Sequence, residues 1–300
     1  MTKPGHFVGV TKMVTTHLWR PTMTTRPLCI YHANCADGFA AAWVVKKALH
    51  SVVDFHPGVY GEAPPDVTGR DVILVDFSYK RPVIEQLIAT AGSVTILDHH
   101  LSAKEDLEDL SGAIVVFDLH RCGAMIAWRY FFPNYAAPRL LLHIQDRDLW
   151  RFVLEGSREI ALGLFSHPYD FDLWDDFMSN NNVALTALRS DGEALSRKQR
   201  KDIDELLPLL TRRLKIGGFD VPAANLPYMF ASDAGHILAK GEPFAATYFD
   251  TGAGRTFSLR SHAVGEDVSK IAALYGGGGH RNAAGFRVDR VAARFMEDQS

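Results

Sequence analysis

The chain has 300 residues, 47% of them apolar and 22% charged, which suits a soluble globular protein of about two domains. Its 32 Lys and Arg against 35 Asp and Glu leave a formal charge of -3, which argues against a long-duplex DNA binder. Three cysteines without a C-x-x-C pair exclude a disulfide scaffold and a Cys-rich zinc module, and favour a reducing compartment, the cytoplasm.

The first 36 residues contain no Asp or Glu but include Lys3, Lys12, Arg20 and Arg26. They read either as an acid-poor transit peptide or as a loose extension, with Met13 or Met23 as later starts. No apolar run is long enough for a membrane span.

From Leu28 strands and helices alternate. LCIYH (28–32), VILVD (72–76), VTILD (94–98) and AIVVF (113–117) are short apolar runs of buried-strand type. Helical stretches follow over 37–49, 82–91 and 123–131. This alternation predicts βαβ units and a largely parallel sheet, with ligands at the carboxyl ends of its strands. Residues 181–214 are polar and helix-favouring and predict a connecting helix pair. Beyond them strands are expected over 227–231, 243–250 and 256–260, with Gly252 and Gly254 in a hairpin turn. A helix is expected over 267–275, then the run Gly276 to Gly279 and a last strand over 285–288. Phe39, Trp43, Trp128, Tyr130 and Trp150 are expected in the core. The fold class is α/β: a domain over 28–180 with a mainly parallel sheet, a helical linker over 181–214, and a smaller α/β domain over 215–300, after an extension over 1–27.

Asp37, Asp76, Asp98 and Asp146 stand at strand ends or in following turns, with His32, His99 and His100 among them. Carboxylates with imidazoles and no thiolate pair are the donors of Mn²⁺-like or Mg²⁺-like ions. So many converging groups suit two ions sharing a bridging carboxylate, the arrangement that clamps an in-line displacement at phosphorus. Asp37 and Asp98 are equally placed to cap helices. Consecutive glycines at 276–279 let backbone N–H groups approach an anion closely, and His280 and Arg281 follow at once.

The order of these pieces carries a resemblance. His32-Ala-Asn-Cys35-Ala-Asp37-Gly38, Val75-Asp76, Asp98-His99-His100, Asp146 in HIQDRDLW, and GGGGHRNAAGF from Gly276 to Phe286 follow one another along the chain. Over about residues 28–290 the chain resembles the DHH phosphoesterase superfamily, in the branch with the DHH-associated C-terminal domain. The resemblance implies metal-dependent hydrolysis of phosphoester bonds with two Mn²⁺ ions, for which Mg²⁺ or Co²⁺ can substitute. It implies that Asp76 bridges the ions and that His32, Asp37, His99 and Asp146 complete the ligands. Asp98 would orient an imidazole and His100 would face the substrate phosphate. Asp148 is the other candidate in HIQDRDLW. Asp146 is preferred because the family's aspartate there precedes an aromatic by a few residues, as Asp146 precedes Trp150. Gly277, Gly278, Gly279, His280 and Asn282, with Arg260 from a neighbouring strand, would hold the substrate's far end. His236 either lies near them or merely packs.

One position departs from the pattern: Cys35 stands where many members have a first aspartate, and a thiol is a poor partner for a hard ion. The expected substrate is a short oligonucleotide or nucleotide cleaved to nucleoside monophosphates, with no long-duplex DNA and no membrane as partners; a homodimer is compatible. The alternatives are a cyclic-dinucleotide phosphodiesterase, a bisphosphate-nucleotide phosphatase and a non-catalytic nucleotide sensor.

Overall fold

The structure, a computed structural model, describes residues 26–179, 182–289 and 292–293. The expected extension over 1–27 therefore lies outside the described residues, apart from its last two positions. In chain order the elements are β1 (Leu28–His32), α1 (Ala36–Leu49), β2 (Asp54–Gly58), β3 (Asp71–Val75), α2 (Arg81–Thr90), β4 (Ser93–Asp98), α3 (Leu101–Asp106), β5 (Ile114–Phe117), α4 (Gly123–Phe131), α5 (Arg139–Asp148), α6 (Ser157–Phe165), α7 (Phe171–Met178) and α8 (Asn182–Leu210). Then follow β6 (Thr211–Ile216), β7 (Phe219–Asn225), α9 (Ala231–Leu238), β8 (Ala245–Thr251), β9 (Gly254–Arg260), α10 (Val268–Ala273), β10 (Gly278–His280) and β11 (Ala283–Val288). The protein is a two-part α/β fold.

The first sheet is parallel throughout, in the order β2-β1-β3-β4-β5. Its central strands β1, β3 and β4 are largely buried on both faces, and their side chains alternate between two cores as a period of two requires. Cys29, Ile73, Val75 and Leu97 face α1, α4 and α5. Leu28, Ile30, Val72, Leu74, Val94 and Ile96 face the other way, onto Ile84 and Leu87 of α2. The connections leave β1 towards β2 on one side and reach β3 on the other. The crevice between the carboxyl ends of β1 and β3 is therefore the switch point where such sheets bind ligands.

The second sheet runs β10-β11-β9-β8-β7-β6 and is mixed, with only β7 and β8 parallel. One face buries Leu214, Val221, Phe244, Phe257 and Phe286 against Val268 and Ile271 of α10. The other carries Ala224 and Leu226 against Ile203 and Leu207 of α8 and Ala234 of α9.

Several expectations change here. The expected helix pair is a single helix of 29 residues, α8, about 43 Å long at 1.5 Å per residue. Gly192 does not break it but lets it touch α6: a Cβ there would lie 1.7 Å from the Glu159 carbonyl oxygen, and one on Gly163 would lie 2.0 Å from that of Leu188. Gly192→Ala should therefore destabilise the protein by about 2 kcal/mol through overpacking, read as a lower midpoint in urea at unchanged slope. The expected strand over 227–231 is instead a 3₁₀ turn at Tyr228–Phe230 running into α9, started by Pro227 at its N-cap.

The strands β2, β6 and β7 were not expected. DFHPG and TRRLKI are edge strands, marked by a proline and by charge, the devices that protect an open edge. β7 contains Pro222, but β8 pairs only with Ala223 to Asn225, so the missing N–H breaks no bond to β8.

Candidate metal centre and substrate cleft

The carboxyl ends of β1, β3 and β4 bring His32, Asp76, Asp98 and His99 together at the switch point. Two glycines permit the close approach. A Cβ on Gly38 would lie 2.3 Å from the His32 carbonyl oxygen, so the first turn of α1 lies directly against the end of β1. A Cβ on Gly123 would lie 2.4 Å from Asp76 Cβ, so the start of α4 abuts the residue that leaves β3. Asp76 itself adopts φ 54°, a left-handed conformation that is uncommon for a residue with a side chain. Asp37 is a helix cap after all, but not of its own helix. Its two oxygens accept hydrogen bonds from the backbone N–H groups of Gly123 (2.6 Å) and Ala124 (3.0 Å) at the start of α4.

Asp76 is 1% exposed and divides the centre in two. Its Oδ2 lies 3.5 Å from His32 Nδ1 and 3.7 Å from Cys35 Sγ. Its Oδ1 lies 3.0 Å from His99 Nε2, without hydrogen-bond geometry, and has no hydrogen-bond partner. His99 Nε2 in turn lies 3.8 Å from Asp37 Oδ2 and 3.7 Å from Asp148 Oδ2. Donor atoms of Asp37, Asp76 and His99 lie within 4.8 Å of one another, as do those of His32, Asp76 and His100, and those of His99, His100 and His280. These groups can hold a metal ion. Asp76 Oδ1, His99 Nδ1 and Asp148 Oδ2 are buried polar atoms with no hydrogen-bond partner. Such atoms are costly unless something else coordinates them, so the donors present fit divalent cations.

The electrostatics agree. Burial, with repulsion from Asp76 and Asp148, pushes the Asp37 carboxyl well up. Burial and Asp76 likewise raise Asp148. Burial opposes the charge of Asp76 too, but His32 and His99 hold it well below the ordinary carboxylate range. Burial alone would lower His99, yet Asp76, Asp148 and Asp37 raise it to about 10. The cluster calls for positive charge, and in the bare protein the His99 proton supplies it.

Asp98 is fully buried and works on its neighbours. It accepts from Ser78 Oγ (2.7 Å) and from the backbone N–H groups of His99 and His100. Its Oδ1 also lies 2.7 Å from His100 Nδ1, which fixes that ring and leaves Nε2 for the cleft. His280, from β10 of the second sheet, stacks on His100 at 4.6 Å between ring centroids and meets His99 edge-on at 4.5 Å. The glycine run is built for this approach. Gly279 N–H donates to Ser102 Oγ of α3 (3.1 Å), and a Cβ on Gly278 would lie 2.7 Å from that same oxygen. Gly277 has no room for a Cβ because Gly285 O would lie 2.1 Å away.

The assignment of Asp146 is corrected by its surroundings. Its oxygens accept from Val153 N–H, Leu154 N–H (both 3.0 Å) and Ser157 Oγ (2.6 Å), so it ties down the loop between α5 and α6 and does not reach the cluster. Asp148, two residues on, is the carboxylate that faces His99. Asn282 lines the cleft with its Nδ2 engaged, donating to Ser261 Oγ and the His262 carbonyl, both at 2.9 Å.

A cleft of about 2500 Å³ runs from this cluster between the two sheets. Arg260 lines its far wall and is held by Ser232 Oγ (3.0 Å) and its neighbour's carbonyl, Leu259 O (2.8 Å), with Gly235 passing close to its stem. Burial, reinforced by Arg147, lowers Arg260 to about 10. Trp150 was expected in the core. Instead it lines the cleft, stacked on His236 at 4.3 Å, with the Arg147 and Arg158 guanidiniums 5.1 and 5.2 Å from its ring. Phe39, Trp43 and Trp128 are buried as expected, and Tyr130 is half-buried. Arg147, Trp150 and Tyr60, whose ring lies 5.3 Å from His32, were not expected in the site. The density of cationic and aromatic residues from Arg147 to Arg158 was the available signal for the first two.

No family model matches the chain. It is 30% identical over 286 residues to the uncharacterized protein R106 of Acanthamoeba polyphaga mimivirus, across 85% of this chain and 66% of that protein, so it spans less than two thirds of the relative's length. Among solved structures it is similar to a pGpG-specific phosphodiesterase, PggH, from Vibrio cholerae, with 15% identity, a TM-score of 0.48, and coverage of 91% of this chain and 97% of that one. It is also similar to an exopolyphosphatase-related protein from Bacteroides fragilis, with 15% identity, a TM-score of 0.47, and 92% of each chain covered. Among the described residues no helix is long and apolar enough to cross a membrane.

Proposed function

We propose that the protein is a two-metal phosphoesterase of the DHH superfamily type, hydrolysing phosphodiester bonds of short oligonucleotides or nucleotides. The observation that carries this reading is Asp76, whose two oxygens address two separate donor sets, as a carboxylate shared by two ions does. Asp37, His99 and Asp148 would hold one ion, and His32 the other. Divalent ions such as Mn²⁺ would offset charge on the phosphoryl oxygens and lower the pKa of an attacking water. His100, its Nδ1 fixed by Asp98, presents Nε2 to the leaving oxygen and delivers the proton there. His280 closes over the two histidines and excludes water on that side. Arg260 and Arg147 offer guanidiniums to the far end of the substrate, and Trp150 offers a face for a base.

Dinucleotide, longer oligonucleotide, cyclic dinucleotide and bisphosphate nucleotide, each assayed with Mn²⁺, test this reading. Turnover that falls with chain length supports it, because the -3 chain offers little basic surface for many phosphates. Nucleotide bound but never turned over would establish the sensor instead. Arg260→Ala should raise KM about 10- to 100-fold at unchanged metal content, the worth of a charge-assisted hydrogen bond. An unchanged KM removes Arg260 from the substrate site.

A further inference from the structure

The two halves of the centre differ in chemistry. Around Asp76 Oδ1 the donors are carboxylates and one imidazole, a hard set. Around Asp76 Oδ2 they are His32 Nδ1 and Cys35 Sγ, with the His100 imidazole converging on His32 and Asp76, a set of nitrogen and sulfur donors. We propose that Cys35 is a metal ligand, and that His32, Cys35 and the Oδ2 of Asp76 form a site for a borderline-soft ion of the zinc or cobalt class, distinct in kind from its oxygen-rich neighbour. This rests on the two-metal reading and makes the pair chemically unequal.

The spacing supports the assignment. Bond lengths of about 2.0–2.3 Å in a tetrahedron place nitrogen and oxygen ligands about 3.4 Å apart, and sulfur and oxygen about 3.6 Å apart. The structure places His32 Nδ1 3.5 Å and Cys35 Sγ 3.7 Å from Asp76 Oδ2. An octahedron of oxygen ligands at about 2.1 Å would need neighbours about 3.0 Å apart. The thiol does not stand alone: its hydrogen-bond acceptor Asp76 shares a group with His32 and His100 whose donor atoms lie within 4.8 Å of one another. Cys35 sits at the N-cap of α1, between the end of β1 and the helix that Gly38 brings against it, so its position is fixed by backbone. Its side chain makes no cap hydrogen bond and instead donates to Asp76 Oδ2, so the thiol already points at the proposed site. Three protein ligands leave a fourth position open on the His100 side, the pattern of a catalytic and not a structural zinc site. On binding, the S–H bond breaks, its proton passes to solvent, and a sulfur–metal bond forms.

Cobalt substitution tests this without reference to turnover. Adding Co²⁺ to the metal-free full chain should produce visible d–d bands, which report the ion in the centre, and a near-ultraviolet sulfur-to-cobalt charge-transfer band, which reports the thiolate. Cys35→Ser should keep d–d absorption and lose the charge-transfer band. Cys35→Asp should lose it too and bind Mn²⁺ about tenfold more tightly. If wild type shows d–d bands without charge transfer, or the band survives in Cys35→Ser, as it would if Cys122 supplied the sulfur, the proposal is overturned and the two-metal reading stands. If Asp76→Ala retains the full cobalt spectrum, the two-metal reading itself is overturned.

Discussion

Asp76→Ala should abolish metal loading and hydrolysis together while leaving the fold intact. Both oxygens of this carboxylate serve the centre, one towards His32 and Cys35 and the other towards His99, so one substitution empties both halves. A bound ion contributes several kcal/mol of charge stabilisation, so the rate should fall about 1000-fold or more, at 1.36 kcal/mol for each factor of ten. In the metal-free protein two effects on stability oppose each other, because Asp76 also supplies the negative charge that His32 and His99 pair with. Asp76 stands in a cluster with Asp37 and Asp148, and its removal relieves the repulsion that pushes both of their carboxyls up. Metal content by mass spectrometry and thermal unfolding, measured on the same sample, check this. Retained Mn²⁺-dependent turnover would sink the site, and a collapsed fold would show that Asp76 is structural.

The neighbouring carboxylates of α5 should separate cleanly. Asp148→Asn should lower metal affinity and turnover at least tenfold with little change in stability, because its Oδ2 faces His99 and has no hydrogen-bond partner. Asp146→Asn should do the reverse, costing about 2–3 kcal/mol of stability. Val153 and Leu154 donate to separate oxygens of Asp146, so an amide placed there sets its NH₂ against one backbone N–H in either orientation. The loop from Leu149 to Gly156 would loosen and KM would rise, since Trp150 belongs to it. Urea unfolding and metal titration of both variants decide the matter. A metal loss in Asp146→Asn matching that of Asp148→Asn would restore the original assignment.

That pair also shows where reading the sequence stops. Buried strands such as VILV and VTIL announce themselves because both their faces are apolar, and the acids that end them fall at the switch point as topology requires. Asp146 and Asp148 lie two residues apart on a helix, some 200° around it at 3.6 residues per turn. Choosing between them requires knowing that Leu140, Leu141 and Ile144 face the core. The resemblance placed the aspartate by its distance from Trp150, but φ of 55° at Trp150 and 50° at Phe152 folds the chain back on Asp146, so that linear distance carries no direction. The edge strands were invisible for the opposite reason: the proline of β2 reads as loop, and the charge of β6 reads as the end of the helix before it. Asp37 was weighed as the cap of its own helix, while the helix it caps begins 86 residues later, a contact that no local pattern contains.

The contact of His280 with His99 and His100 has a consequence for biosynthesis. A nascent chain halted after α8 would already carry His32, Cys35, Asp37, Asp76, His99 and Asp148, and thus every residue proposed to bind metal. It would lack the ring that stacks on His100 and the Gly279–Ser102 bond that holds that ring in place. Metal could load on the ribosome, but the cleft would stay open to water until the glycine run had emerged and docked. On the proposed reading the last strands would serve as a completeness check, since a chain ending before them would lack His280 over the donor cluster.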